Sequence, residues 1–107
     1  MKLDDFQKQA LKSVAITEKT VAALAHRTLG LSGEAGTVGN DVKKIIRDKQ
    51  GQFSDDDIAK LEEKLGDVLY YIAVLADYAD LTLEAIAEKN ILKSQEFLKN
   101  RDKIKNT

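Results

Sequence analysis

The sequence contains no cysteine, no proline and no tryptophan among its 107 residues, and these absences exclude several classes of protein. Without cysteine, the chain cannot be a disulfide scaffold, a zinc ribbon or a thiol enzyme, and its composition suits the reducing cytoplasm. Its net charge is only −1, so it lacks the positive field by which proteins usually bind nucleic acid. Its hydrophobic runs are too short to cross a membrane, and acidic residues follow Met1 too closely for a signal peptide. We therefore expect a cytoplasmic protein that binds neither nucleic acid nor membranes.

The residues that are present favour one all-α domain over residues 1–107. Proline is the strongest helix breaker and glycine the next, and the chain has only six glycines. Hydrophobic residues make up 43% of the chain, which is enough for a folded core, and the length suits a single domain.

Apolar residues at helical spacing predict four helices. The first covers about three turns near the N-terminus. Thr17 is the predicted N-cap of the second helix, which runs to about Lys49. Ser54, followed by three aspartates, predicts the start of the third helix, and Thr82 predicts the start of the fourth. The charged tail over residues 99–107 is expected to fray.

The second half of the third predicted helix is apolar nearly all round, because Leu69, Val74 and Ala76 lie beside its main apolar stripe. Such a helix must be covered on more than one side. A second subunit would supply the extra cover, so we expect at least a dimer.

Four glycines, Gly30, Gly33, Gly36 and Gly39, recur at three-residue spacing inside the second predicted helix. Each costs about 0.5 to 1 kcal/mol of helix stability relative to alanine, so some gain must offset them. They would either form a smooth face for a neighbouring helix or leave room for a ligand beside Glu34. The two interpretations are compatible.

Carboxylates on neighbouring helices are the other pattern with chemical meaning. Glu34 and Asp41 lie two turns apart on one flank of the second helix, with Thr37 between them. At about 100° per residue, Lys64 and Asp67 share one flank of the third helix. Facing carboxylates on two helices are how helical bundles hold Mg²⁺, which prefers oxygen ligands. Paired acids on a solvated surface are the alternative.

Several segments together resemble the MazG-like all-α nucleoside triphosphate pyrophosphohydrolases. The similarity runs from about residue 6 to 93 and is carried by residues 29–38 (LGLSGEAGTV), 42–44 (VKK), 64–73 (KLGDVLYYIA), 83–84 (LE) and 87–90 (AEKN) with Lys93. The resemblance implies a four-helix bundle completed by dimerisation, as a homodimer or a dimer of dimers. It also implies Mg²⁺-dependent hydrolysis of a nucleoside triphosphate at the α-phosphorus, which yields the monophosphate and pyrophosphate.

The acidic motif of that family is altered here. It reads Glu-Glu-x-x-Glu on one helix and Glu-x-x-Asp on the next, where this chain has Gly33, Glu34, Thr37, Lys64 and Asp67. The resemblance therefore implies Glu34 and Asp67 as the remaining catalytic and Mg²⁺-binding carboxylates. Across the last four positions the formal charge changes from −4 in the family motif to −1 here. Such a site attracts a divalent ion far less strongly.

Two functions fit these changes. In the first, Lys64 pairs with Asp67 or Glu34, or contacts phosphate directly, and a weakened hydrolase remains, with metal bound weakly or only together with nucleotide. In the second, the protein is a catalytically inactive helical dimer that binds nucleotide or a protein partner. Asp41 and Glu63 would supply a displaced metal carboxylate in the first case, or are simply solvated acids.

The resemblance also implies substrate contacts outside the acidic motif. Asn90 and Lys93 match its nucleotide-binding pattern, although Asn90 could instead be a structural amide. Lys43 and Lys44 would meet phosphates or form a solvated basic face. Tyr71 would stack on a base or ribose, or pack in the core or at the dimer interface.

Overall fold

A computed structural model describes residues 1–105 as four α-helices, with no strand in that range. The helices are α1 (Leu3–Leu11), α2 (Val21–Lys49), α3 (Asp55–Tyr78) and α4 (Leu83–Lys105). The predicted all-α class and the four helices are confirmed. No helix within residues 1–105 combines the length and the apolar character that crossing a membrane requires.

Two of the predicted helix starts are confirmed by their hydrogen bonds. The Ser54 hydroxyl accepts from the Asp57 N–H at 3.1 Å, and the Asp57 carboxylate accepts from the Ser54 N–H at 3.0 Å. This reciprocal pair is a capping box, which satisfies two backbone donors at the start of α3. Thr82 accepts from the N–H of Ala85 at 3.1 Å and caps α4.

Other predicted boundaries were wrong. Helix α2 begins after Thr20 rather than Thr17, because the Thr20 hydroxyl accepts from the Ala23 N–H at 3.1 Å. The tail predicted to fray over residues 99–107 is helical to Lys105, and residues 106–107 lie outside the described part.

A tight turn folds α2 back on α3 as a helical hairpin. Gln50 and Gly51 adopt positive φ angles of 54° and 79°, and the Gly51 N–H donates to the Ile45 carbonyl at 3.2 Å. Left-handed residues of this kind end a helix and satisfy its last carbonyls. An ion pair of 2.8 Å between Lys49 and Asp57 joins the two helix ends.

The buried core lies at the end of this hairpin that is away from the turn, and we call this the closed end. It consists of α1, residues 21–30, residues 70–78 and the start of α4. Gln7 of α1 is buried there and fixes three elements together. Its amide donates to the carbonyls of Ala73 at 3.1 Å and Leu81 at 3.0 Å, and its oxygen accepts from the Leu83 N–H at 3.2 Å. The buried apolar side chains around it are Ala10, Ala73, Val74, Ala76 and Leu83.

The other end of the hairpin comprises residues 34–67 and includes the turn. We call it the open end because α1 and α4 do not cover it. Neither α1 nor α4 makes its main contact there, since α1 packs on α3 and α4 packs chiefly on α1. The radius of gyration is 17.5 Å, against about 13 Å for a compact domain of this length. The four helices therefore do not close into a compact bundle within one chain.

The covering of α3 differs from the prediction. In its apolar second half, Val74 and Ala76 are covered within the chain, whereas Leu69 remains 37% exposed. The more exposed apolar side chains lie on its first half, where Ile58 and Leu65 are about half exposed (51% and 49%). The uncovered apolar surface of α3 therefore lies nearer the open end than the sequence predicts.

Candidate functional site

Lys64 lies between two carboxylates that belong to different helices. Its ammonium nitrogen is 3.8 Å from an oxygen of Glu34 on α2 and 3.7 Å from an oxygen of Asp67 on α3. The predicted pairing of Lys64 is confirmed, with both carboxylates rather than one. The three side chains are 29 to 44% exposed, so the cluster lies at the edge of the helix interface.

Thr37 and Glu63 do not add to this cluster. The Thr37 hydroxyl donates to the Gly33 carbonyl at 3.0 Å, one turn back on its own helix. Glu63 is exposed and does not line the neighbouring cleft, whereas Asp41 is half-buried and does line it. Of the two predicted substitute carboxylates, the structure brings Asp41 toward the cluster and leaves Glu63 in solvent.

The donor set does not fit Mg²⁺. A magnesium site needs several oxygen ligands, and here an ammonium group lies within 4 Å of both carboxylates of the motif. Within residues 1–105, no group of three or more acidic or histidine side chains converges as a metal site would require. Electrostatic repulsion from Lys64 opposes a second cation at this position.

A cleft of about 270 Å³ continues from Lys64 along the open end, between α2 and α3. Apolar side chains such as Ile45, Phe53 and Leu61 form part of its wall. Its charged side chains are Lys44, Lys49, Lys60 and Lys64 together with Asp41, Asp48 and Asp57. Of the two predicted phosphate contacts on α2, Lys44 lines the cleft and Lys43 does not.

The charge of the cleft is partly neutralised inside the protein. Lys49 pairs with Asp57, and Asp48 accepts two hydrogen bonds of 2.8 Å from Arg47. The Lys49 ammonium lowers the pKa of Asp57 to about 2, with help from the Ser54 N–H. The Arg47 guanidinium likewise holds the pKa of Asp48 below its usual value. Within residues 1–105, Lys44 and Lys64 donate no hydrogen bond, and Lys60 is paired with Asp56 at 3.4 Å.

Tyr71, the predicted base-stacking residue, packs inside the protein. A Cβ atom built on Gly30 would lie 2.2 Å from the Tyr71 ring, so glycine is needed where α2 meets this ring. His26 and Tyr70 also contact Tyr71, with ring centroids 6.3 and 5.1 Å away. Packing accounts for Tyr71, and its contact with a base stays a prediction.

The row of glycines thus divides in two. Gly30 serves close packing, whereas a Cβ on Gly33, Gly36 or Gly39 would meet no other side chain or neighbouring helix within 4 Å among residues 1–105. The close-packing interpretation is confirmed for Gly30, and room for a ligand beside Glu34 stays a prediction.

Asn90 and Lys93 lie near the middle of α4 and do not line the cleft. Both are exposed and share a shallow depression with Phe97 and Leu98. Asn90 is exposed in the single chain because α4 packs chiefly on α1 and leaves this face uncovered. One chain alone does not bring these two residues to Lys64.

Sequence reasoning missed the most buried charged residue, Arg27. It is 2% exposed, donates to the carbonyls of Val74 at 2.7 Å and Ile16 at 3.2 Å, and lies 3.5 Å from Asp77. Its position between polar neighbours gave no periodic signal. It fastens α2 to α3 at the closed end and is not part of the cleft.

The chain is similar to the Gene 37 protein of Mycobacterium phage L5, with 41% identity over 76 residues that cover 71% of this chain and 67% of that protein. No protein-family model matches the chain. No solved structure matches it either.

Proposed function

This chain belongs to the same family as the Gene 37 protein of Mycobacterium phage L5, and we propose that it is a MazG-like nucleotide-binding protein. It binds the phosphates of a nucleoside triphosphate beside Lys64 on the α2–α3 hairpin. The observation that supports this most strongly is the Lys64 ammonium, which lies at the mouth of a cleft between the two motif helices.

The cleft offers the two kinds of contact that a nucleotide needs. Lysine ammonium groups are strong donors to phosphate oxygens, and Lys44, Lys60 and Lys64 line one cleft. Apolar side chains at its far end, including Phe53, provide a surface for a base or sugar. The volume of about 270 Å³ is close to the lower limit of known ligand pockets.

Hydrolysis to the monophosphate and pyrophosphate is the second candidate. It is favoured by Glu34 and Asp67, which still face each other across α2 and α3 at the positions of the family motif. The misfit of Mg²⁺ at this cluster makes binding the stronger proposal.

Self-association belongs to the same proposal. Helical spacing places Ile46 of α2 with Ile58, Leu65 and Leu69 of α3 on the flank opposite the cleft, and all four are exposed. A contiguous apolar flank of this kind marks a protein interface. A second copy would cover it, as a homodimer or a dimer of dimers.

Binding is tested by titrating canonical nucleoside triphosphates into the protein by calorimetry. Two neighbouring lysines provide a matched pair, because Lys44 lines the cleft and Lys43 does not. Lys44→Met should weaken binding severalfold, and Lys43→Met should leave it unchanged. Equal effects of the two substitutions, or no saturable binding by the unmodified protein, would contradict the proposal.

Hydrolysis is tested by pyrophosphate release with Mg²⁺ or Mn²⁺ at high protein concentration. Turnover that Glu34→Gln and Asp67→Asn both abolish would establish the second candidate. Absence of turnover, with binding retained, would leave the protein as a binding module.

A further inference from the structure

The Lys64 ammonium has hydrogen-bonding capacity that the protein does not use. Both neighbouring oxygens, at 3.7 and 3.8 Å, lie beyond the roughly 3.2 Å that an N–H···O hydrogen bond spans. None of its three N–H donors therefore has a close acceptor among the described residues. The two carboxylates hold the charge in place electrostatically and leave the donors free.

Glu34 shows the complementary deficiency. Its Oε2 atom is buried and has no hydrogen-bond partner within residues 1–105. A buried carboxylate oxygen is costly unless a positive charge compensates it. Lys64, 3.8 Å away, provides that charge.

This arrangement places an ammonium group where the family motif would hold a divalent cation. Glu34 and Asp67 carry two negative charges, and Lys64 neutralises one of them from a position between the two. A divalent ion at the same position would have to displace Lys64 or accept its repulsion at close range.

We propose that the Lys64 ammonium replaces the divalent cation at this site and binds ligand phosphate directly, without a metal ion. The inference rests on the proposed function and specifies its ligand as a metal-free polyphosphate. Lys44 and Lys60, which line the same cleft, extend the cationic surface along a chain of phosphates. Glu34 and Asp67 are positioning residues in this scheme, because they hold Lys64 and do not contact the phosphate.

The first test uses inorganic tripolyphosphate as the probe, titrated by calorimetry in the presence of excess EDTA. The unmodified protein should bind it, and Lys64→Met should weaken binding roughly tenfold, which is the effect of removing one charge-assisted hydrogen bond. Lys64→Arg should retain most of the affinity. Lys8→Met is the control, because Lys8 is an exposed lysine of α1 that does not line the cleft.

Binding that disappears in EDTA and returns with Mg²⁺ would overturn this inference and leave the proposed function intact. If tripolyphosphate and nucleoside triphosphates bind under neither condition, the proposed function itself fails.

The second test needs no phosphate ligand. Mn²⁺ alone is titrated and followed by the loss of the free-ion signal in electron paramagnetic resonance. The unmodified protein should show no saturable binding, and the double variant Thr37→Glu, Lys64→Glu should gain it because the formal charge across residues 34, 37, 64 and 67 returns to −4. Equal Mn²⁺ affinity of the two proteins would contradict the replacement. Circular dichroism confirms that each variant is helical.

Discussion

The closed and open ends of the α2–α3 hairpin differ in how their polar side chains are hydrogen-bonded. At the closed end, Arg27 and Gln7 are buried and donate to backbone carbonyls of neighbouring elements. At the open end, Lys64 is held between Glu34 and Asp67 with its own donors unused. The difference indicates that the closed end stabilises the fold and that the open end is available for binding.

The strongest test of this contrast compares two arginines of α2. Replacing Arg27 with methionine should destabilise the protein by about 3 to 5 kcal/mol, because it leaves the buried Val74 carbonyl and the part-buried Ile16 carbonyl without this donor and Asp77 without its cation. Arg47→Met should change stability by less than about 1 kcal/mol, since Arg47 is 63% exposed and pairs with its neighbour Asp48. Urea unfolding followed by circular dichroism measures both. Similar losses for the two variants would refute the division into two ends.

A smaller effect is expected from two glycines on the same helix. Gly30→Ala should cost about 1 to 3 kcal/mol, because its new methyl group would collide with the Tyr71 ring. Gly36→Ala should stabilise the protein by roughly 0.5 to 1 kcal/mol, since nothing lies within 4 Å of the added carbon. Thermal unfolding gives both values. A loss at Gly36 would show that a second copy packs against this part of α2.

The apolar flank is tested by a charge. Leu65→Lys should raise the dissociation constant of the proposed dimer at least roughly tenfold, since a lysine would have to be buried at the interface. Ala59→Lys is the matched control, as it adds the same charge to an exposed position of α3 that helical spacing places off this flank. Sedimentation velocity over a range of concentrations distinguishes them. If the parent protein is monomeric at every concentration, the proposed self-association is contradicted.

The smallest effect concerns pH and the turn at the open end. The pKa of Asp57 is lowered to about 2, chiefly by the Lys49 ammonium. Because the usual value in an unfolded chain is near 3.9, this carboxylate contributes stability above about pH 4 and loses it as the pH falls toward 2. Asp57→Asn should therefore lower stability at pH 7 and flatten the decline between pH 4 and 2, as measured by thermal unfolding. If the decline in stability between pH 4 and 2 is unchanged in the variant, other carboxylates cause it.

The parts of the fold that depend on local chemistry could be predicted from the sequence. Ser54 and Thr82 cap their helices through neighbouring backbone groups, so the spacing of a few residues suffices to find them. Thr17 failed as a cap because Thr20 also has a hydroxyl at a suitable position, and the choice between them depends on where the chain leaves α1.

Features that depend on distant packing could not be predicted. The burial of Arg27 requires carbonyls of Ile16 and Val74, and sequence spacing says nothing of how these approach. Tertiary packing also determines that α1 covers the second half of α3. It likewise determines that α4 runs away from the cleft.

The candidate site was partly predictable. Helical spacing and the family resemblance together identified Glu34, Lys64 and Asp67, and the structure brings them together. The selection of Lys44 over Lys43 required knowledge of which side of α2 faces the cleft.

The central claim is that Lys64 serves binding rather than folding, and one measurement tests it most directly. Thermal unfolding in EDTA is recorded for the parent protein and for Lys64→Met, each with and without tripolyphosphate. The account predicts that the variant alone melts only slightly below the parent, because Glu34 loses the positive charge beside it, and that tripolyphosphate raises the midpoint of the parent but hardly that of the variant. A variant that melts well below the parent, yet gains the same increase from tripolyphosphate, would contradict it.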